Sequence, residues 1–252
     1  MKKVLFLFSA ISLVLTSCSS SDDDNGGDNS NVENTIFPKT EKYTSTLSPE
    51  ENSTVTYAYQ GNKIESLTYS GGDKTTFSYT GNVITKAESF EGGVLKTTTN
   101  FTYENNKLKS YIEVPASADS ASLKKSYTYN ADGTISTVTV MIDPTTLVET
   151  QESSSVFTLD ARGNITKVVF NDYINVVEYD TKNNPFKNIL GYTLLLDAGI
   201  FDKDVNTPNN FTKITETKNG ENVGTTTYVN TYDGNNFLTK QVSGDETFEY
   251  TY

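Results

Sequence analysis

Residues 77–87 read FSYTGNVITKA, and the reading of this phrase decides the fold. Thr75, Phe77 and Tyr79 alternate with Thr76, Ser78 and Thr80, so a strand built from them shows rings on one face and hydroxyls on the other. Gly81-Asn82 then offers the positive φ that a two-residue hairpin turn requires, and Val83-Ile84 begins the return strand. The phrase recurs as YAYQGNKIESL from Tyr57, FTYENNKLKSY from Phe101 and YTYNADGTISTV from Tyr127. Looser copies start at Phe157, Val177 and Asn230, and the chain closes on TFEYTY, half a phrase with no return strand. Gly61-Asn62, Asn105-Asn106, Asp132-Gly133, Gly163-Asn164 and Gly234-Asn235 occupy the same turn position, while Gly71-Gly72, Gly92-Gly93 and Asn219-Gly220 serve the opposite connections.

The repeat has a period near ~20 residues, one hairpin plus its connection to the next. No segment of it carries the apolar stripe of a helix. The expected fold is therefore all-β: an antiparallel up-and-down meander of about 14–16 short strands forming one domain over residues 40–252. A twisted sheet beyond roughly 10 strands curls or closes, and closure removes exposed edges. A barrel or strongly curled sheet is the expectation, with an open single sheet as the alternative. One insertion, residues 181–210, breaks the rhythm with the apolar run Ile189-Leu190-Gly191-Tyr192-Thr193-Leu194-Leu195-Leu196. A short helix and loop plugging the barrel satisfies this run, as does an extra buried strand.

Composition supports the strands and narrows the chemistry. The 252 residues include 38 Thr, 16 Tyr and 13 Phe, all strand-favouring, with 25 Asn and 16 Gly for turns. No His is present, which removes Ser-His-Asp and Cys-His catalysis and the commonest zinc ligand sets. The single Cys removes disulfides and thiolate clusters. A net charge of −12 carries no footprint for nucleic acid. Neither a cofactor nor a metal is called for.

Residues 1–17 combine Lys2 and Lys3 with an apolar run from Val4 to Leu15, shorter than the ~20 residues of a membrane span. This is the layout of a secretory signal peptide. Its end, Leu15-Thr16-Ser17-Cys18, resembles the lipobox of bacterial lipoproteins, which implies lipidation of Cys18, removal of the leader and attachment to the outer membrane. Several acyl chains on one residue give stable anchoring. Residues 18–39 are acidic and Asn/Gly-rich and read as a disordered tether. Within them Asp22, Asp23 and Asp24 resemble the surface-export signal of Bacteroidetes lipoproteins; a solvated spacer satisfies the same residues.

The Tyr-x-Tyr-Asp-x-x-Gly-Asn phrase resembles the YD repeats of RHS and teneurin proteins. A nearer likeness is to secreted and lipidated Bacteroidetes proteins of the DUF4595 type, carried by Tyr179-Asp180-Thr181-Lys182-Asn183-Asn184-Pro185-Phe186, by Asn209-Asn210-Phe211-Thr212-Lys213 and by Thr231-Tyr232-Asp233-Gly234-Asn235-Asn236-Phe237. This resemblance covers about residues 40–252 and implies a porin-like barrel. It implies no activity and no catalytic residue.

The expected role is that of a non-enzymatic binding or structural module of the cell envelope. The alternative is a carboxylate-dependent hydrolase acting on glycans, for which Glu178, Asp180 and Asp160 are the candidate acids. Recurrence of Asp160, Asp180 and Asp233 at one phrase position argues for turns instead, since Asp bonds its own backbone there. Aromatic pairs stack on sugars or peptides in some proteins but more often stabilise a sheet. A glycan, a peptide or a small apolar ligand remains open as partner, besides the membrane reached through the lipid. Asp119-Ser120-Ala121 resembles a Bacteroidetes O-glycosylation acceptor, with Ser120 as the modified residue.

Overall fold

The computed structural model describes residues 35–252. The leader, Cys18 and the acids Asp22, Asp23 and Asp24 lie outside the described residues. Seventeen strands follow one another along the chain. The first nine are β1 (Thr40–Ser45), β2 (Ser53–Gln60), β3 (Lys63–Tyr69), β4 (Lys74–Thr80), β5 (Val83–Glu91), β6 (Val94–Glu104), β7 (Lys107–Pro115), β8 (Ser122–Tyr129) and β9 (Ile135–Ile142). Then come β10 (Glu149–Leu159), β11 (Ile165–Phe170), β12 (Tyr173–Tyr179), β13 (Phe211–Lys218), β14 (Glu221–Thr227), β15 (Val229–Tyr232), β16 (Leu238–Ser243) and β17 (Glu246–Thr251).

Every pairing between these strands is antiparallel, and sequence neighbours pair from β1 to β14. β15 pairs with β16, β16 with β17, and β17 returns to β1, with Tyr43 opposite Phe248. The meander thus closes into a barrel. The seam lies at β14 and β15, which are separated by Tyr228 alone. β14 uses β13, whereas β15 uses β16, so the two pieces act as one bent strand that changes neighbour halfway. The count of seventeen, against the 14–16 read from sequence, includes this division.

Six of the seven phrases carry a bulge, and the one from Tyr127 pairs without a slip. The register slips just before the second aromatic position, at Ala58/Tyr59, Ser78/Tyr79, Thr102/Tyr103, Thr158/Leu159, Glu178/Tyr179 and Thr231/Tyr232. An extra residue there bends and twists the strand, as barrel curvature demands. The tyrosine at the second position reaches the preceding hairpin with or without a bulge: Tyr103 Oη donates to Ile84 O at 2.8 Å, Tyr129 Oη to Leu108 O at 3.1 Å and Tyr179 Oη to Ile165 O at 2.8 Å. Tyr252 Oη closes the series on Leu238 O at 2.6 Å. These hydroxyls stitch one end of the barrel, and Leu159 is the member that brings no hydroxyl.

Turn chemistry explains the Asp of the phrase. Asp160 Oδ1 accepts the N–H of Arg162 and of Asn164, and Asp233 Oδ1 those of Asn235 and Phe237. Across each loop the Asp N–H donates to a carbonyl four residues on, Asn164 or Phe237. The positive φ of the last of these loops falls at Asn236 (63°), not at Gly234-Asn235 as the sequence pattern suggests.

The insertion is one such loop overgrown. Asp180 Oδ1 accepts Lys182 N–H as its counterparts do, but its other backbone partner is Asn210, 30 residues away. Asp180 N–H likewise donates to Asn210 O. The intervening residues leave the turn and fold back into the barrel mouth, with a single 3-10 turn at Tyr192–Leu195. A plug is what the structure shows, not an added strand. Phe37 and Pro38, assigned to the tether by composition, pack on the barrel: Pro38 is buried and Phe37 stacks on Tyr59 at 4.9 Å.

Candidate functional site

The interior has two halves. At the stitched end, Phe186, Ile189, Tyr192, Leu195, Leu196 and Phe201 of the plug are buried among the first aromatic positions of the phrases. Phe186 meets Tyr57 edge-on at 5.4 Å, and Phe201 stacks on Phe77 at 5.1 Å. The plug runs tight against the hairpin turns: Leu190 N–H donates to Asn62 O, and Tyr79 Oη to Leu190 O. Gly191, at φ 79°, is required there, because a Cβ would stand 3.3 Å from Asn82 O in a backbone region that side chains rarely adopt.

Two polar latches tie the plug to separate arcs of the wall. On β8, Lys125 and Tyr127 both bond Asp197, the tyrosine at 2.6 Å. On β1, Glu41 takes Lys203 Nζ at 2.6 Å on one oxygen and Tyr57 Oη at 3.0 Å on the other. Lys203 also lies over the Phe248 ring at 4.6 Å. Burial, with Glu41 beside them, pushes the Tyr57 and Tyr250 phenols well above their ordinary value, so both stay protonated as donors. Burial and Asp197 do the same to Tyr127.

The other half of the interior is polar. Alternation turns Thr97 and Thr99 of β6, Glu113 of β7, Thr137 and Thr139 of β9 and Glu216 of β13 inward, in register with the buried rows below them. Glu113 stands opposite Thr99 and Leu123. Solvent reaches Glu113, yet the surrounding wall removes part of its hydration and raises its carboxyl above the ordinary value. Asp202, on the plug at φ 54°, is in the same condition. Restricted hydration pushes its carboxyl up to about 6, against the pull of neighbouring Lys203 and with a further push from Glu41. No ion pair forms at Glu113, Asp202 or Glu216 among the described residues. The barrel is a cup: filled with apolar side chains at one end and lined at the other by hydroxyls and by the exposed acid Glu113.

The acids singled out from sequence are not gathered in this cup. Asp160 and Asp180 are spent on turns, and Glu178 faces outward to Lys213 at 2.9 Å. Ser120 sits in the connection between β7 and β8, exposed, its N–H donating to Ser117 O. Sequence reasoning missed Glu41, Lys125, Asp197, Lys203 and Glu113. Parity was the available signal for two of them, since Lys125 and Glu113 share the inward set with Tyr127 and Tyr111. Among the described residues no group of three His, Cys, Asp or Glu is placed to hold a metal ion, and no helix is long and apolar enough to cross a membrane.

Fold and site together define a plugged antiparallel barrel with one polar open end. The chain is similar in fold to a porin-like protein from Bacteroides vulgatus, at 15% sequence identity and a TM-score of 0.56, over 86% of this chain and 98% of that chain. A porin-like protein from Bacteroides uniformis aligns at 12% identity and a TM-score of 0.47, over 85% and 97% of the two chains. No family model matches the sequence, and no curated protein matches it.

Proposed function

We propose that this protein is a non-enzymatic binding module of the cell envelope, held to the outer membrane by lipid on Cys18, with the open half of its barrel as the binding chamber. The observation that carries this reading is the division of the interior into a latched plug and a solvent-reached cup whose acids have no ion-pair partner. The outer wall supports a barrel standing in water on its tether: Lys74, Thr76, Ser78 and Thr80 point outward from β4, and such rows do not suit lipid chains. Likeness to porin-like barrels agrees with an envelope location. Export through Asp22, Asp23 and Asp24 and glycosylation at Ser120 would place the cup at the cell surface.

The decisive experiment is thiol accessibility. With Glu113→Cys, an exposed position of the inward set, in a Cys18→Ser background, a small maleimide should label the folded protein, and a bulky one should label it far more slowly. Failure of the small reagent would mean a closed interior and a purely structural barrel. For the anchor, fatty-acid labelling should vanish with Cys18→Ser; persistence of label would reject it.

A further inference from the structure

Ion pairs on the outer wall are open to water: Lys124–Glu149, at 2.9 Å, has side chains 38% and 48% exposed. The latch between Lys125 of β8 and Asp197 of the plug differs, with side chains 15% and 12% exposed. Lys125 Nζ donates to Asp197 Oδ2, while Asp197 Oδ1 takes the Tyr127 hydroxyl at 2.6 Å. Aromatic rings flank the pair: the Phe157 centroid lies 5.6 Å from Lys125 Nζ, and Tyr111 stands opposite Lys125 across the β7–β8 pairing. Both backbones are anchored. Lys125 sits in the wall between Tyr111 of β7 and Thr139 of β9. On the plug, Leu196 and Ala198 flank Asp197 and are buried. Ala198 N–H donates to Leu195 O at 2.9 Å, and Asn206 N–H to Leu196 O at 2.6 Å.

Two opposite charges held out of water bear a desolvation cost that their attraction offsets only in part. Condensation to an amide removes both charges and releases one water, so the burial that penalises the ion pair favours the amide. Anchored reactants act as though present at effective concentrations on the order of 10⁵–10⁸ M, which offsets the weak reactivity of a carboxyl group toward an amine. The second buried latch lacks this bias. Lys203 Nζ lies 4.6, 5.9 and 6.0 Å from the ring centroids of Phe248, Phe186 and Tyr250, and three ring faces hold the ammonium in its charged, non-nucleophilic form. Lys125 has the Phe157 ring alone among the described residues.

We propose that Lys125 and Asp197 condense to an isopeptide bond that fastens the plug to β8. Within the pair, Nζ first passes one proton to Oδ2, which gives an amine facing a carboxylic acid. The Nζ lone pair then attacks Cγ, and negative charge gathers on Oδ1, where the Tyr127 hydroxyl donates. The Cγ–Oδ2 bond breaks, and Oδ2 leaves as water with its own proton and a second one from Nζ. One C–N bond forms, one C–O bond breaks, and no oxidant, reductant or cofactor takes part. Burial keeps the Tyr127 phenol protonated for this role. The bond joins positions 72 residues apart in the chain, and it stands whether or not the open half of the barrel binds a ligand.

The test is peptide mass spectrometry on the purified full-length protein, denatured and then digested with trypsin. Cleavage after Lys and Arg puts Asp197 in the peptide 188–203, and a blocked Lys125 leaves the peptide 125–162. The expected product is one branched species, lighter by one water than the two peptides together, with fragment ions that join Lys125 to Asp197. In Lys125→Arg, which keeps the charge but cannot form this amide, residues 188–203 should appear as a linear peptide only. Tyr127→Phe should slow linkage after a pulse of synthesis by at least about ten-fold. A linear 188–203 peptide as the sole product from wild-type protein that melts cooperatively overturns the proposal and leaves an ordinary ion pair. A water-deficient species that persists in Lys125→Arg overturns it by placing the loss elsewhere. Unchanged linkage kinetics in Tyr127→Phe overturn the part given to that hydroxyl.

Discussion

The two halves of the barrel interior are built from the same strands and differ in what those strands enclose. In the stitched half, inward positions are aromatic or aliphatic and meet the plug, as Tyr57 meets Phe186. A few residues along the same strands the inward positions become Thr, Ser and Glu; Thr99, Thr137 and Thr139 stay buried while Glu113 is exposed. The comparison teaches that contacts are divided along the barrel axis: those that hold the fold sit at one end, and acids without an ion-pair partner among the described residues at the other.

The largest expected effect tests the apolar half. Phe186→Ala should cost about 3–5 kcal/mol in denaturant unfolding, because the ring is fully buried among Tyr57, Tyr192, Phe201 and Tyr250. Thr99→Val, in the polar half, should cost under about 0.5 kcal/mol, since its hydroxyl has no partner to lose. Equal costs would erase the distinction between the halves.

Next in size are the latches between them. Lys203→Met keeps the stem but strands Glu41, which is 5% exposed, and should cost about 3 kcal/mol at neutral pH. Restoration of most of that loss by adding Glu41→Gln, read as a double-mutant cycle, would locate the cost in the orphaned carboxylate. A cost unchanged in the double variant would move it to lost packing over Phe248.

Asp202 supplies a pH test. Its carboxyl is raised from 3.8 to about 6, so the folded protein binds this proton more tightly than the unfolded chain. Its contribution favours folding below about pH 4 and is lost as pH rises through 6. Asp202→Asn should therefore raise stability at pH 7 by about 1 kcal/mol, the full shift being reduced by the solvent that reaches the group. The variant should also flatten the fall between pH 4 and 6. A melting curve of the variant that follows wild type across that range would remove Asp202 from the acid set of the cup.

The smallest effects come from the stitching. Tyr103→Phe should cost about 1 kcal/mol by freeing the Ile84 carbonyl. Leu159→Tyr, at the position that brings no hydroxyl, should gain a few tenths of a kcal/mol if the new group reaches the preceding hairpin. Loss of stability there would show that the gap is kept by packing.

Much of the fold was legible because the phrase is local. Alternation sets strand faces and Gly and Asn set the turn, so Phe77 to Ala87 carries nearly all the instruction for its own hairpin; in later phrases Asp adds bonds to the N–H groups two and four residues on. The site was less legible. Asp180 looks like Asp160 in sequence, but its distant backbone partner, Asn210, appears only when the inserted residues are seen leaving and rejoining one turn.

The sequence by itself determined an all-β meander, an interruption between 181 and 210, and a chemistry without histidine or thiol clusters, because these depend on neighbours along the chain. Only the tertiary structure decided that the interruption turns inward, that Asp197 and Lys203 find Lys125 and Glu41, and that Glu113 joins the inward set. Those pairings join residues many strands apart. Closure of the barrel brings them together, and closure is a property of all the registers at once rather than of any single hairpin.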